Sequence, residues 1–461
     1  MSAEPGVSPV TAVGDAPART LRVAASGTLL VLAVFSAFVV TVGASTHSLG
    51  AGIAGQAWSL SGMSLGLAAA LLTAGVLADD LGYARVLTWS AGLLGAASVV
   101  GAVAPNIGVL IAARVVQGVA GGGVVAASLG AIGRTFPSGG TRTRATAVWG
   151  AAVGAGITVG PLTAGVLDAA LGWRSGFWLE AAGALAVMTA AAGLRMPPAS
   201  TRRPLDVTGV TALVAGMALL TGGLVEAHHG WSRPVTVLLV GSAGVVLAAF
   251  MLLESRRRCP MLDPRLFTQP RFVASVAGAL FVGLSVIGLM SYAPTLLQRG
   301  LGLSAIGSAG VLAAWSATST VVALAARSLP ARIGSEARLA AGLGLAAIGE
   351  VALTGLHGGT GWRELMPGMF VAGIGSGIAN AALARIAVES VPHARVGMGS
   401  GANNTARYLG GAAGVALVVT LGSASGAGGP VEGFDRAALV SAALCALGAL
   451  IVLASTKERR T

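Results

Sequence analysis

The sequence predicts an all-α polytopic membrane protein that crosses the bilayer fourteen times. Three observations carry this prediction. Apolar blocks of about 20 residues, the length of a spanning helix, recur from end to end. Basic residues fall in alternate loops. The composition excludes a soluble fold: of 461 residues, 54% are hydrophobic and 10% charged, with a mean hydropathy of +0.81, against about a quarter charged in soluble chains.

The first six blocks are centred on residues 24–46, 56–78, 85–104, 107–130, 145–167 and 175–194. Two more follow at 207–225 and 235–253, and six others at 272–293, 304–326, 339–356, 364–384, 399–422 and 436–455. The fourth and thirteenth are glycine-rich, which blurs their ends. The fifth holds Gly150-Ala-Ala-Val-Gly154-Ala-Gly156-Ile-Thr-Val-Gly160-Pro161-Leu-Thr-Ala-Gly165. Glycine and proline disfavour helix in water but are tolerated in lipid, where neighbouring helices re-satisfy the backbone. Small residues let helices approach closely, and Pro161 lacks the N–H that bonds the carbonyl of Ile157, so a bend is expected.

Charge placement sets the orientation. With the N-terminus inside, 22 of the 29 Lys and Arg residues fall in inner loops. Only Arg174, Arg233, Arg299, Arg363 and Arg436 fall outside, and Arg114 and Arg407 lie within helices. This is a positive-inside pattern with both termini cytoplasmic. The net charge of +12 therefore reflects membrane orientation, and no nucleic-acid partner is expected. Met1–Ala18 is polar, without a cleavable signal pattern, and reads as a disordered tail. Cys259 and Cys445, in a polar loop and an apolar block, are not expected to pair.

Trp58, Trp173, Trp231 and Trp362 lie at outer helix ends, as an interfacial belt of lipid anchors requires. Trp149 and Trp315 lie deeper, where packing competes with a role in a cavity wall. Arg114 sits about eight residues, or about 12 Å, below Asn106. A buried guanidinium is costly unless paired or wetted, and marks function by default. Gln117, nearly one turn on, can share its hydrogen bonds. The structural alternative for Arg114 is a helix clamp neutralised by backbone carbonyls. Arg407, nearer the inner face, reads as a snorkelling structural residue.

Four signatures resemble those of the major facilitator superfamily, specifically its fourteen-spanner drug/proton antiporters. The loop Gly75-Val-Leu-Ala-Asp79-Asp80-Leu-Gly82-Tyr83-Ala84-Arg85 is similar to G-x-L-A-D-R-x-G-R-R/K-R, with Tyr83, Ala84 and Asp80 in place of basic residues. Leu110-Ile-Ala-Ala-Arg114-Val-Val-Gln117-Gly118 is similar to L-x-x-x-R-x-x-Q-G. Gly160-Pro161-Leu-Thr-Ala164-Gly165 is similar to the antiporter core G-P-x-x-G-G. Gly401-Ala-Asn403-Asn404-Thr405-Ala-Arg407-Tyr-Leu-Gly410-Gly411 is similar to N-N-T-x-R-x-L-G-G.

The resemblance implies a fold of two six-helix bundles plus two inserted helices. It implies a tail at 1–20, an N-terminal bundle at 21–195, a linker with helices 7 and 8 at 196–271, a C-terminal bundle at 272–456 and a tail at 457–461. Gly75, Asp79, Gly82 and Arg85 become a cytoplasmic latch, and Gly156, Gly160, Pro161 and Gly165 the antiporter motif. Arg114 takes part in proton transfer or cavity polarity. Gln117, Trp149, Trp315 and Asn403 are the cavity candidates.

One departure concerns coupling. The family's helix-1 aspartate falls on Ala37, and helix 1 carries no acid. Glu350, about twelve residues beyond Arg338, is the leading replacement. An acid so deep in an apolar helix is suited to load and release protons near neutrality; a structural acid is the alternative. Glu180 comes second, standing where Trp173-Arg174-Ser-Gly-Phe177-Trp178-Leu-Glu180 departs from W-R-x-x-F-x-x-N. Glu226 meets water beside His228 and His229, which lack the acidic company of a metal site.

The expected protein is a monomeric proton-coupled exporter of an amphiphilic or cationic compound, embedded in the lipids of the inner cell membrane. No catalytic cluster, cofactor or metal is expected. A facilitator, or an exporter not coupled through a helix-1 carboxylate, is the alternative, and a non-transporting sensor a remote one. Arg256–Arg258 is expected to meet anionic head groups.

Overall fold

The computed structural model describes residues 15–136, 140–194, 196, 207–227, 230–257, 264–326, 334–355, 361–391, 396–423 and 429–457. Each of the fourteen apolar blocks forms one long helix. The first half comprises α1 (Asp15–Ser48), α2 (Ile53–Leu81), α3 (Tyr83–Ala102), α4 (Ile107–Thr135), α5 (Gly140–Leu171) and α6 (Arg174–Ala192). Then come α7 (Val207–Glu226) and α8 (Pro234–Arg256). The second half comprises α9 (Pro270–Arg299), α10 (Ala305–Ala325), α11 (Ser335–Val351), α12 (Met366–Glu389), α13 (Val396–Ser423) and α14 (Gly429–Lys457). Helix α1 starts at Asp15, so residues 15–20 of the expected tail are helical, because Ala16–Arg22 continues the pattern that the apolar core of α1 sets. Residues 1–14, His228, His229, Arg258 and Cys259, and the linker from 197 to 206, lie outside the described residues.

Local chemistry punctuates the helices. The Asn106 carboxamide accepts from the Val109 N–H at 3.0 Å and caps α4, and Ser304 caps α10 through the Gly307 N–H at 3.2 Å. Pro234 and Pro270 open α8 and α9. The α2–α3 connection is one residue, Gly82, at φ 95°, a conformation that only glycine adopts without strain.

Helices α1–α6 pack in a pattern that α9–α14 repeat. Helix α2 lies on α4, α1 on α5, and α3 on both α4 and α6; correspondingly α10 lies on α12, α9 on α13, and α11 on both α12 and α14. The halves meet through α2 against α13 and α5 against α10. The α7–α8 pair sits outside, with α7 touching α2 and α13. Helix α8 turns Val235, Val237, Leu238, Val245 and Leu252 outward, an apolar face suited to lipid. Among the described residues, twelve of these helices are long and apolar enough to cross a membrane; α2 and α11 are outside that set.

At the end carrying the α1–α2 loop the halves fuse. A buried apolar cluster there runs from Phe38, Leu60 and Leu110 to Tyr292, Leu296 and Leu297. Two hydrogen bonds cross the same seam: Gln56 Nε2 donates to Thr295 Oγ1 at 2.9 Å, and Gln298 Nε2 donates to the Val40 carbonyl at 2.8 Å.

The tryptophan belt is only partly as expected. Trp231 and Trp362 are exposed. Trp173 is 6% exposed: its indole N–H donates to Ser48 Oγ at 2.9 Å and its ring meets Phe177 edge-on. A satisfied N–H and an aromatic partner make it a core residue, not a lipid anchor. Trp58 packs under α7.

Candidate functional site

Between the halves lies a cavity of about 100 Å³, or about 800 Å³ of atom-free space when the open solvent at its mouth is counted. Helix α1 contributes Leu32, Phe35, Ser36 and Val39; α5 contributes Val153, Ile157 and Pro161. From the second half come Val282, Val286, Ile287, Met290 and Ser291 of α9, Leu312, Trp315 and Ser316 of α10, Asn380 of α12, and Arg407 and Tyr408 of α13. Its walls are apolar and aromatic with a few polar groups, the usual make-up of a small-molecule site.

The glycine run of α5 forms one wall by fitting between the halves. A Cβ on Gly156 would strike the Leu29 carbonyl, and one on Gly160 the Ala33 carbonyl, both on α1. On the other side, a Cβ on Gly154 would strike Thr320 and one on Gly165 the backbone of Ile306, both on α10. Helix α13 repeats the device: Gly410 and Gly414 abut the carbonyls of Leu280 and Leu284 on α9. Each half therefore seats a glycine-faced helix on its own first helix, beside the cavity.

Behind the cavity wall, each half buries a polar network. In the first half Arg114 Nη1 donates to Gln117 Oε1 at 2.9 Å and to the Val34 carbonyl at 3.2 Å. Gln117 Nε2 donates to Glu180 Oε2 at 3.0 Å and to Ser98 Oγ at 2.8 Å. Gln117 thus stands between a guanidinium and a carboxylate. The Arg114 guanidinium also lies 4.6 Å from the centre of the Phe38 ring, a cation–π contact. All four polar residues are buried. Replacing Arg114 by methionine leaves Glu180 buried without its cation. The expected loss is about 3–5 kcal/mol, read as a lower thermal midpoint of the detergent-solubilised protein.

In the second half Glu350 of α11 is fully buried, and among the described residues neither carboxyl oxygen has a nitrogen or oxygen partner. The side chain facing it is the Cys445 thiol of α14. Cys445 Sγ lies 2.9 Å from Ser285 Oγ, and Ser441 Oγ donates to the Ser285 carbonyl at 3.1 Å. Ser285 belongs to a π-helical turn, Gly283–Ile287, inside α9. Such single-turn widenings inside α-helices recur at functional sites. The positions correspond between halves, because Val34 follows Ala33 as Ser285 follows Leu284.

A family model described as Major Facilitator Superfamily matches residues 24–415. The chain belongs to the major facilitator superfamily. Its relatives in that superfamily include "Multidrug resistance protein Stp" of Mycobacterium tuberculosis, 28% identical over 404 residues, covering 87% of this chain and 75% of that protein. The "Probable actinorhodin transporter" of Streptomyces coelicolor is 33% identical over 439 residues, covering 91% and 75%. Among solved structures, a peptide transporter, POT, in complex with sulfate aligns with a TM-score of 0.70 at 16% identity over 98% of this chain and 96% of that one; this likeness is one of fold.

Within this superfamily fold, the residues named from sequence separate. Trp315 lines the cavity, its indole N–H donating to Ser376 Oγ at 3.2 Å, and so does Pro161. Gln117 does not, because its carboxamide is held by Arg114, Glu180 and Ser98. Asn403 does not either: its Nδ2 donates to the Ser275 carbonyl and hydroxyl at 3.0 and 2.9 Å, clamping α13 to α9. Trp149 packs against the first-half core with its N–H unpartnered. At the α2–α3 turn, Arg85 Nη1 donates to the Leu81 carbonyl at 3.3 Å, and a Cβ on Gly75 would meet nothing. The Asp79 side chain lies outside the described residues. Ala37 is buried against Ala164 and Ala309 at the α1–α5–α10 contact.

Four participants escaped the sequence reading. Arg407 faces the cavity, although its depth alone suggested snorkelling. Asn380 was legible as a carboxamide in the apolar middle of α12. Ser285 and Cys445 carried no signal, since Ser and Cys are common in apolar helices.

Proposed function

We propose that this chain is a secondary active exporter that moves an amphiphilic organic compound out of the cell against proton entry, by alternating access. The observation that carries this reading is the α5 glycine run seated between α1 and α10 beside the central cavity, with a buried acid network behind each half. Close backbone contact without bulky side chains lets two packed helices roll while staying sealed. The names of the relatives, a multidrug resistance protein and an antibiotic transporter, point the same way.

In this reading all fourteen helices span the inner membrane, with both termini cytoplasmic and the protein a monomer among lipids. The bundles are 21–195 and 272–456, joined by 196–271, between tails 1–20 and 457–461. The seam at Gln56–Thr295 and Val40–Gln298 is the closed outer gate, and Gly75, Asp79, Gly82 and Arg85 form part of the inner latch. Glu350 and Glu180 carry the coupling protons, with Arg114 and Gln117 stabilising the charged form of Glu180. Proton release from either acid changes the charge in a network that contacts the first helix of its half, and that helix lines the cavity.

A specific observation keeps one alternative open: α1 places Ala37 where a carboxylate is expected, which suits a facilitator. Export into inverted vesicles under an imposed pH gradient decides between them. The exporter accumulates substrate only while the gradient lasts and stops on addition of a protonophore. Equilibration insensitive to the protonophore identifies a facilitator.

A further inference from the structure

We propose that the central cavity selects an aromatic or polycyclic molecule bearing an acidic group, which Arg407 holds as the anion, over a cation of the same shape. The inference rests on the exporter reading and narrows its expected amphiphilic or cationic substrate to an acidic one.

Arg407 is the one charged residue in the described lining. Its position is fixed on two sides. Nη2 donates to Asn404 Oδ1 at 2.8 Å, and Asn404 is itself held through Nδ2 to the Ser400 carbonyl at 3.0 Å. The guanidinium also lies 5.1 Å from the centre of the Tyr408 ring. Arg407 Nε is buried and has no hydrogen-bond partner among the described residues. Among the described residues, no carboxylate lies within ion-pair distance of Arg407. A planar guanidinium in the cavity wall with an unsatisfied donor and no paired carboxylate suits a carboxylate or phenolate oxygen.

The described lining offers a cation no carboxylate. Glu180 is engaged by Gln117, and Glu350 lies behind α9 against Cys445; neither lines the cavity. Ser36 and Ser291 donate their hydroxyl protons to their own helices, at 2.8 and 2.7 Å, so they and Asn380 offer a cation neutral oxygens but no counter-charge. A bound cation therefore meets an uncompensated positive charge across a low-dielectric space, whereas an anion completes the pair. Phe35, Trp315, Tyr408 and Met290 supply the faces on which fused rings pack.

The test uses the full-length protein in phosphatidylcholine nanodiscs, so that no anionic lipid competes. Equilibrium dialysis at pH 7 compares anthracene-9-carboxylate with protonated 9-(aminomethyl)anthracene, with empty nanodiscs as background. Wild type is expected to bind the acid at least about tenfold more tightly than the amine, the scale of one charge-assisted pair. Arg407→Gln removes that preference, Arg407→Lys keeps part of it, and Arg407→Glu reverses it towards the amine. The reversal is a readout that a merely structural arginine does not give, and the wild-type ratio stands even where a variant fails to fold. Equal or tighter binding of the amine to wild type, no binding of either compound, or an acid preference intact in Arg407→Gln overturns the proposal. Flux in proteoliposomes separates the two readings. Arg407-dependent acid binding without flux contradicts the exporter and keeps the cavity assignment. Export of the amine independent of Arg407 does the opposite.

Discussion

Replacing Glu180 and Glu350 together by glutamine abolishes gradient-driven export and leaves a folded protein. Glutamine keeps the shape of each side chain and removes its titrating proton. At Glu180 the Gln117 amide still finds an oxygen acceptor, so the first-half network survives in outline. At Glu350 the carboxamide faces the same Cys445 thiol and loses no nitrogen or oxygen partner, since the acid has none. The stability change at Glu350 is therefore expected within about 1–2 kcal/mol, and at Glu180, where the buried Arg114 loses its carboxylate, up to about 3–5 kcal/mol, whereas accumulation falls to the level of empty vesicles. Each single variant keeps one network and is expected to show partial loss with altered pH dependence. Substrate uptake measured in inverted vesicles, together with thermal unfolding of the purified variants, checks both halves of this expectation. Full gradient-driven accumulation in the double variant removes the coupling role from both acids.

Gly160→Leu is expected to stop transport by a different route. The added Cβ lands on the Ala33 carbonyl and close to Ser36 Oγ at 2.5 Å, so α1 must move away from α5. Overpacking of this kind costs about 1–3 kcal/mol, occasionally more, and it displaces α1, which lines the cavity, from its seat within its own half. Gly414→Leu, which strikes the Leu284 carbonyl at the corresponding place in the second half, is expected to do the same. Gly75→Ala is the control, because no described atom outside its own stretch of helix lies within 4 Å of the added Cβ. Its stability should match wild type, and any loss of transport it shows then belongs to the inner latch rather than to packing. Transport rates and expression levels of the three variants, measured side by side, separate these outcomes.

The fold was legible because bilayer thickness imposes a length on every apolar block and the basic loops give their direction. The α5 run announced a close helix contact, and the structure assigns it two partners, α1 on one face and α10 on the other. The Arg114–Gln117 pair followed from helical spacing; that Gln117 also reaches Glu180 on α6 is a tertiary fact that spacing along α4 does not contain. Facing is where sequence reasoning failed. Arg407 and Asn403 lie one turn apart on α13, yet Arg407 turns to the cavity and Asn403 to Ser275 on α9. With glycine and alanine around both, α13 has almost no amphipathic contrast to say which face is which. Trp173 was misassigned for a related reason: its position at a helix end fits a lipid anchor, and only the tertiary fold supplies Ser48 and Phe177.

The most direct test of the central claim is a proton-flux measurement on purified protein in proteoliposomes loaded with a pH-sensitive dye. With an outward-directed substrate gradient and no imposed pH difference, coupled antiport predicts a proton flux into the compartment that the substrate leaves. It also predicts that this flux disappears in Glu180→Gln/Glu350→Gln. Substrate movement at the wild-type rate without any accompanying pH change would contradict the account.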